Sequence, residues 1–204
     1  MDVLLLLTYT AICIVIFKVF KVPLNKWMLA TFLMASSKKG FSAHQLHRTI
    51  GVTYKTAWFM FHRIREAMRA GDLAPMGSGG GTVEVDETFI GREPGTEVKA
   101  AYHHKMKVLS LVDRETGEVR LFVVDKVSKK EILPILRENI AKEATVYTDE
   151  SSVYNTLSSL VENHDHVKHK DGEYGRGDVH TNTIEVYYSI FKRGMKGIYQ
   201  HCGK

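Results

Sequence analysis

Cysteine is nearly missing from this chain: Cys13 and Cys202 are the only two in 204 residues, so neither a disulfide framework nor a C-x-x-C zinc pair can be built. That scarcity fits a reducing, intracellular setting. A phosphate-cradling G-x-x-x-x-G-K loop is absent as well, which removes ATP from the expected partners. Nothing in the composition is collagen-like or disordered, since 44% of the residues are apolar and 25% charged. The length admits one large domain, or a small one joined to a medium one. Long apolar runs are confined to Val3 to Phe17, and these 15 residues would span, as a helix, roughly 22 Å of a hydrocarbon core about 30 Å thick. The run is a poor signal peptide, because Met1-Asp2 supplies no cation before it and no small-x-small cleavage site follows. A buried helix, or a segment foreign to the rest of the fold, is favoured over membrane contact.

Charge is unevenly spread. Residues 1–75 hold 10 basic and 3 acidic side chains, and residues 76–204 hold 18 and 20, so the basic excess is N-terminal and points to a polyanion partner there. From Leu24 the apolar residues Leu24, Trp27, Met28, Phe32 and Ala35 recur at helical spacing, ending at Ser36-Ser37-Lys38-Lys39-Gly40. Ser42 is a candidate cap for a second helix from Ala43 to Ile50, and Gly51 supplies the turn. Thr53 caps a third helix with an apolar face of Ala57, Phe61, Ile64 and Met68. Helix, Gly turn and capped helix within some thirty residues is the plan of a helix-turn-helix, whose helix after the turn enters the major groove of double-stranded DNA. Tyr54, Lys55 and Thr56 are its candidates for base edges, while Arg48, Arg63, Arg65 and Arg69 could reach phosphates. A plain three-helix bundle with a solvated basic face is the alternative.

The segment Gly71 to Thr82 is Gly-rich and reads as a flexible joint. After it the apolar period changes from 3.6 to 2. Strands are predicted at Thr82 to Ile90, Lys107 to Val112 and Val119 to Val127, with a hairpin turn in Asp113 to Glu118. Helix (Lys129 to Ile140), strand (Ala144 to Thr148), helix (Ser152 to Leu160) and a last helix (Thr183 to Arg193) follow. Val161 to Asn182 reads as a Gly- and His-rich connection. The fold class is therefore α/β with a mixed sheet.

Three carboxylates stand out in that order. Asp86 interrupts the alternation of the first strand in VEVDETFIG, together with Glu84 and Glu87, and a mid-strand carboxylate is costly unless a cation meets it. Asp149 ends the short strand in ATVYTDE, at the edge where α/β sheets gather ligands. Glu185 lies one turn into the last helix. Carboxylates from a first strand, a fourth strand and a following helix suit two divalent ions about 4 Å apart, and oxygen ligands select Mg²⁺ or Mn²⁺. Read alone, Glu185 is equally a first-turn acid at a positive helix end.

The motifs VEVDETFIG, TVYTDESSVY, HDHVKH and EYGRGDVHTNTIEVYYSIFKRGMKGIY occur in the order and spacing of the DDE-type insertion-sequence transposases, and the chain resembles their ISXO-like branch from about Leu24 onward. The resemblance implies a ribonuclease H-like mixed-sheet catalytic domain preceded by an all-α helix-turn-helix domain. It also implies Asp86, Asp149 and Glu185 as catalytic, metal-binding triad, with Lys192 two turns beyond Glu185 at a basic position of that branch. Element ends and target duplex become the expected partners, a homo-oligomer the working form, and the compartment of the genome, cytoplasmic or nuclear, the place. The resulting division is an apolar segment 1–22, a helix-turn-helix domain 23–70, a linker 71–82 and a catalytic domain 83–204.

Three features depart from the branch: the apolar start in place of a zinc ribbon, Val186 where Gly is preferred, and an end at Lys204 before a further helix. The expectation is a transposase shortened at both ends, its last helix left with an uncovered face at Tyr188, Phe191 and Met195, so that DNA binding outlasts strand transfer. A remnant that only binds DNA is the main rival, and a membrane-associated regulator the weakest. His180 either touches a scissile phosphate or caps its own loop. His164, His166 and His169 read as a polar loop, and Tyr187, Tyr188 and Phe191 as core.

Overall fold

A computed structural model of the chain describes residues 22–68, 74–93, 95–98, 102–167 and 175–199. The apolar run Val3 to Phe17, Arg69 and His169 lie outside the described residues. The chain separates into two compact units, whose described residues are 22–68 with 196–199, and those between 74 and 195.

The first unit is all-α. Helices α1 (Leu24–Ser36), α2 (Ala43–Ile50) and α3 (Tyr54–Ala67) close around Trp27, Ala30, Leu46, Ile50, Ala57, Met60, Phe61 and Ile64. Ser42 and Gln45 form a reciprocal capping box on α2, and Gly51 ends it in the left-handed conformation at φ 63° with its N–H on His47 O. The Thr53 hydroxyl accepts the Thr56 N–H at the start of α3. Between them Gly51 and Thr53 stop one helix and start the next within three residues, so the turn is set by local chemistry. The apolar pattern expected along α1 is only partly buried: Trp27 and Ala30 face the core, whereas Leu24, Met28 and Phe32 are exposed. Short helices bury a narrow stripe, and Trp27 with Ala30 fills it here.

The second unit is a mixed α/β structure around a five-stranded sheet in the order β3-β2-β1-β4-β5. Its strands are β1 (Thr82–Ile90), β2 (Met106–Asp113), β3 (Val119–Val124), β4 (Thr145–Thr148) and β5 (Asn163–His166). β1, β2 and β3 form an antiparallel meander, and β4 and β5 add in parallel beside β1. The remaining elements are α4 (Lys129–Asn139), a 3-10 helix at Ser152–Ser159 within the helical stretch expected from Ser152 to Leu160, and α5 (Asn182–Gly197). β5 falls inside the stretch read as a connection. Its sequence, Asn-His-Asp-His, has no apolar alternation, and only its pairing with β4 makes it a strand.

Strand alternation gives the sheet two faces. Val83 and Val85 of β1 point into the main core with Leu109, Leu111, Ile132, Leu136, Tyr154 and Leu157. Glu84, Asp86 and Thr88 point to the other face, where Val112, Ile184 and Tyr188 cluster. The Gly-rich stretch before β1 is packed at Met76 and Gly77: Met76 is buried, its N–H bonds Asn139 O, and the Gly77 N–H bonds Asp113 Oδ2.

Candidate functional site

Two acids that follow one another along β1 must leave the strand on opposite faces. Asp86 lies on the α5 face and Glu87 on the face of the 3-10 helix. They nevertheless converge, because β4 pairs with β1 only as far as Glu84 and Tyr147. Beyond that point β1 stays paired with β2 but has no partner on its β4 side, and the end of β4 leaves a notch in the sheet. Asp149 stands in the notch, one residue past β4. Carboxylate oxygens of Asp86, Glu87 and Asp149 all lie within 4.8 Å of one another.

The notch is costly for negative charge. Burial first, then repulsion from Glu87, Asp149 and Glu185, pushes the Asp86 carboxyl up to about 7 despite the Glu87 N–H that it accepts at 2.7 Å. Burial likewise pushes Glu87 up to about 7, with Asp149 adding to it and the nearby Tyr154 hydroxyl opposing it. Glu87 Oε1 and Tyr154 Oη are both buried without completing a hydrogen bond of ordinary geometry. Asp149 is oriented by the Ser151 N–H on its Oδ1 at 3.0 Å.

An open cleft of about 390 Å³ joins this notch to α5 and is lined by Asp86, Glu87, Thr88, Glu185, Tyr188, Ser189 and Lys192. Glu185 is exposed on the first turn of α5, 3.5 Å from the Thr181 hydroxyl. Tyr188 is buried, and its Oη donates to Asp86 O at 2.7 Å, tying α5 to β1. The face of α5 expected to be uncovered is therefore covered at Tyr188. Lys192 lies on that helix at the cleft, with Nζ 5.5 Å from the Tyr188 ring centre.

The structure thus gathers Asp86 and Asp149, sets Glu185 and Lys192 around the same cleft, and adds Glu87. In sequence Glu87 is a break in the strand pattern without an assigned role, and alternation by itself sends it away from Asp86. His180 is not among the cleft's lining residues. Its Nδ1 accepts from Arg114 Nη2 at 2.8 Å, which requires the proton on Nε2, and it sits 3.5 Å from Glu84 Oε1. Of the spaced histidines, His164 and His166 lie on β5, and the Thr148 hydroxyl is 3.0 Å from His164 Nε2.

The cleft supplies oxygen donors, and a buried carboxylate oxygen lacks a hydrogen-bond partner there. Such a donor set fits a hard divalent cation and does not fit zinc or copper.

On the first unit, Arg48, Tyr54, Lys55 and Arg63 are exposed and Thr56 is half-buried. Tyr54 stacks on His44 with ring centres 4.2 Å apart, and Arg63 lies over the Phe59 ring at 5.3 Å. Thr56 is partly committed to the cap, its Oγ1 2.8 Å from that of Thr53. One turn after Tyr54, Trp58 is half-exposed and pairs with His62 at 4.1 Å. Trp58 escaped the sequence reading; its signal was the i, i+4 spacing from Tyr54.

Comparison with known proteins bears on the second unit above all. The model of the ISXO2-like transposase domain matches residues 79–204. A second model, the YiaV/YibH N-terminal transmembrane domain, matches residues 1–35. An uncharacterized protein in transposable element ISH50 of Halobacterium salinarum is 33% identical over 190 residues, which is 85% of this chain and 63% of that protein. The chain thus spans less than two thirds of that relative's length. A chain of the simian T-cell lymphotropic virus intasome in complex with PP2A regulatory subunit B56 gamma aligns with a TM-score of 0.38 at 15% identity, over 80% of this chain and 57% of the other.

Proposed function

The chain belongs to the ISXO2-like transposase family, and from that premise we propose that it is a DNA transposase that cleaves and joins phosphodiesters at the ends of an insertion sequence. The observation that carries this reading is the convergence of Asp86, Glu87 and Asp149 at the sheet notch. The second unit is then a ribonuclease H-like DDE domain. Asp86, Asp149 and Glu185 would hold Mg²⁺ or Mn²⁺, two ions in all, with Glu87 as a further ligand. The chemistry supplied by ions held there would be a lowered pKa for an attacking water and stabilisation of the leaving oxygen.

The chain's own residues prepare that chemistry. Crowding Asp86 and Glu87 until burial raises both toward neutrality stores electrostatic cost that a divalent cation relieves. Tyr188 fixes the strand carrying Asp86, and Lys192 offers a cation for a flanking DNA phosphate. Tyr54, Lys55 and Thr56 at the start of α3 would face base edges, with Arg48 and Arg63 on phosphates. The all-α unit is then a helix-turn-helix that reads the element ends. Double-stranded DNA is both substrate and target, a homo-oligomer the working form, and no ATP is needed. The work is done where the genome lies.

Membrane tethering at that place is a second reading, favoured by the match of residues 1–35 to a transmembrane domain. Among the described residues no helix is long and apolar enough to cross a membrane. Sedimentation of the full chain with the membrane fraction, resistant to high salt, would establish the tether.

The decisive experiment incubates the chain with a donor duplex carrying the native element ends and a target plasmid, with Mg²⁺ or Mn²⁺. Joined product that needs the metal and the native ends supports the reading; none under any metal, with DNA still bound, leaves a DNA-binding remnant.

Two expected outcomes arise from the site. Lys55→Ala should weaken binding to the element end about tenfold, given 1–3 kcal/mol for a specific contact, and binding should fall linearly in the logarithm of salt concentration. Affinity indifferent to salt would refute a phosphate-tracking surface. Glu87→Gln should cut joining by roughly tenfold if Glu87 is a supporting ligand, since one such interaction is worth at least about 1.4 kcal/mol. Unchanged joining would return Glu87 to the role of a buried acid beside Tyr154.

A further inference from the structure

Glu84 is completely buried, and a carboxylate so placed needs both a counter-charge and hydrogen bonds. It has them in an unusual distribution. Arg114, just past β2, donates from Nε to Glu84 Oε1 at 2.6 Å, and Glu84 Oε2 accepts the Ile184 N–H at 2.8 Å. The other arms of the guanidinium reach the loop before α5: Nη1 donates to Asp178 O at 2.9 Å, and Nη2 to His180 O at 2.7 Å and to His180 Nδ1 at 2.8 Å. Its plane lies over the Tyr147 ring, 4.9 Å from the centre.

Three of these contacts fall beside the site's acids. Glu84 stands two residues before Asp86 on β1. Tyr147 stands two residues before Asp149 on β4, and Glu84 and Tyr147 are direct partners in the parallel register. Ile184 immediately precedes Glu185. The three stretches that carry Asp86, Asp149 and Glu185 are thus joined at a single Arg–Glu pair, and α5 receives at its first turn an anion supplied by a different element. A lysine could form the ion pair but not the planar fork that serves four acceptors and a ring at once.

We propose that Arg114 and Glu84 are positioning residues that set the start of α5, and with it Glu185, against Asp86 and Asp149. They touch no reacting atom. The proposal rests on the reading of Glu185 as one of the metal-holding acids. A site of this kind tolerates little displacement, and a shift of about 1 Å can cost a hundredfold in rate. Buried ion pairs contribute little net stability when set against apolar replacements, so a geometric role accounts for this one better than a stabilising role does.

The test uses the full chain, first metal-free and then with Mn²⁺ as the probe. In Arg114→Met, amide exchange at residues 183–186 should speed at least tenfold, while the amides of β2 and α4 keep their protection. Mn²⁺ affinity, read from the ion's paramagnetic resonance signal, should fall by the same factor in Arg114→Met as in Glu185→Gln. The double variant should bind no more weakly than either single one. Exchange that speeds evenly through β2 and α4, or losses that multiply in the double variant, would overturn the proposal and leave a general stabilising contact. Should Arg114→Met fail to fold, Glu84→Gln is read in the same way, because it keeps the side chain's shape and an acceptor for the Ile184 N–H. Asp86→Asn separates the two readings: if it leaves Mn²⁺ affinity intact, the metal assignment fails, while exchange at 183–186 still judges Arg114.

Discussion

Asp86→Ala and Asp149→Ala are each expected to lower metal-dependent strand joining at least about a thousandfold while leaving DNA binding intact. A ligand that brings a catalytic cation to its place supports several kcal/mol of transition-state stabilisation, and each 1.36 kcal/mol is a factor of ten. The two acids sit at the notch with oxygens inside the 4.8 Å cluster, so neither can stand in for the other. Binding should hold, or tighten slightly, because each substitution removes a negative charge from a surface that meets phosphates on the proposed reading. Retention of a tenth or more of the parent's joining activity in either variant would show that the notch is not the reaction centre. Loss of binding along with joining would point to misfolding, which a thermal melt of the same variant would reveal.

The second large effect is one of stability, and its sign runs against intuition. Asp86 and Glu87 have folded-state pKa values raised from 3.8 and 4.5 to about 7. Below about pH 4 both are protonated in the folded and unfolded chain and cost nothing. As pH climbs from about 4 to 7 the unfolded chain loses those protons first, so the metal-free fold loses stability through that window and stays weakened above it. At about 1.4 kcal/mol per pKa unit, and discounting for partial exposure and coupling, the loss is on the order of 2–4 kcal/mol. Asp86→Asn should therefore melt several degrees above the parent at pH 8 in chelator, at roughly 2–4 °C per kcal/mol for a chain this size. The advantage should vanish near pH 4. Added Mg²⁺ or Mn²⁺ should raise the parent's midpoint at pH 8 and leave that of Asp86→Asn almost unmoved. A parent as stable as the variant at pH 8 in chelator, or equal metal responses, would mean that the notch does not crowd its charges as described. A variant more stable than the parent in chelator, but not in metal, is what the proposed cation site entails.

Much of the architecture was legible from local chemistry. The capping box of Ser42 and Gln45, the left-handed Gly51 and the Thr53 cap lie within a few residues of the helices they bound. The 2-residue period of Val83, Val85 and Phe89 marked β1, and the Asp113 to Glu118 turn marked the hairpin; both depend on near neighbours. Asp86, Asp149 and Glu185 were legible through motifs spaced 63 and 36 residues apart, and the two-helix run around Gly51 through its period. What the neighbours could not decide is where a partner strand stops. The end of β4 at Thr148 opens the notch, lets Glu87 meet Asp86 against the alternation, and makes a strand of Asn163–His166 by pairing alone. The same holds for Arg114, an ordinary turn residue in sequence, whose guanidinium finds its partners only when β1, β4 and the loop before α5 arrive around it. Periodicity, caps and turns are written in short-range sterics and hydrogen bonds, so the chain states them locally. Convergence of charges across a sheet edge depends on long-range register, and that register belongs to the folded whole.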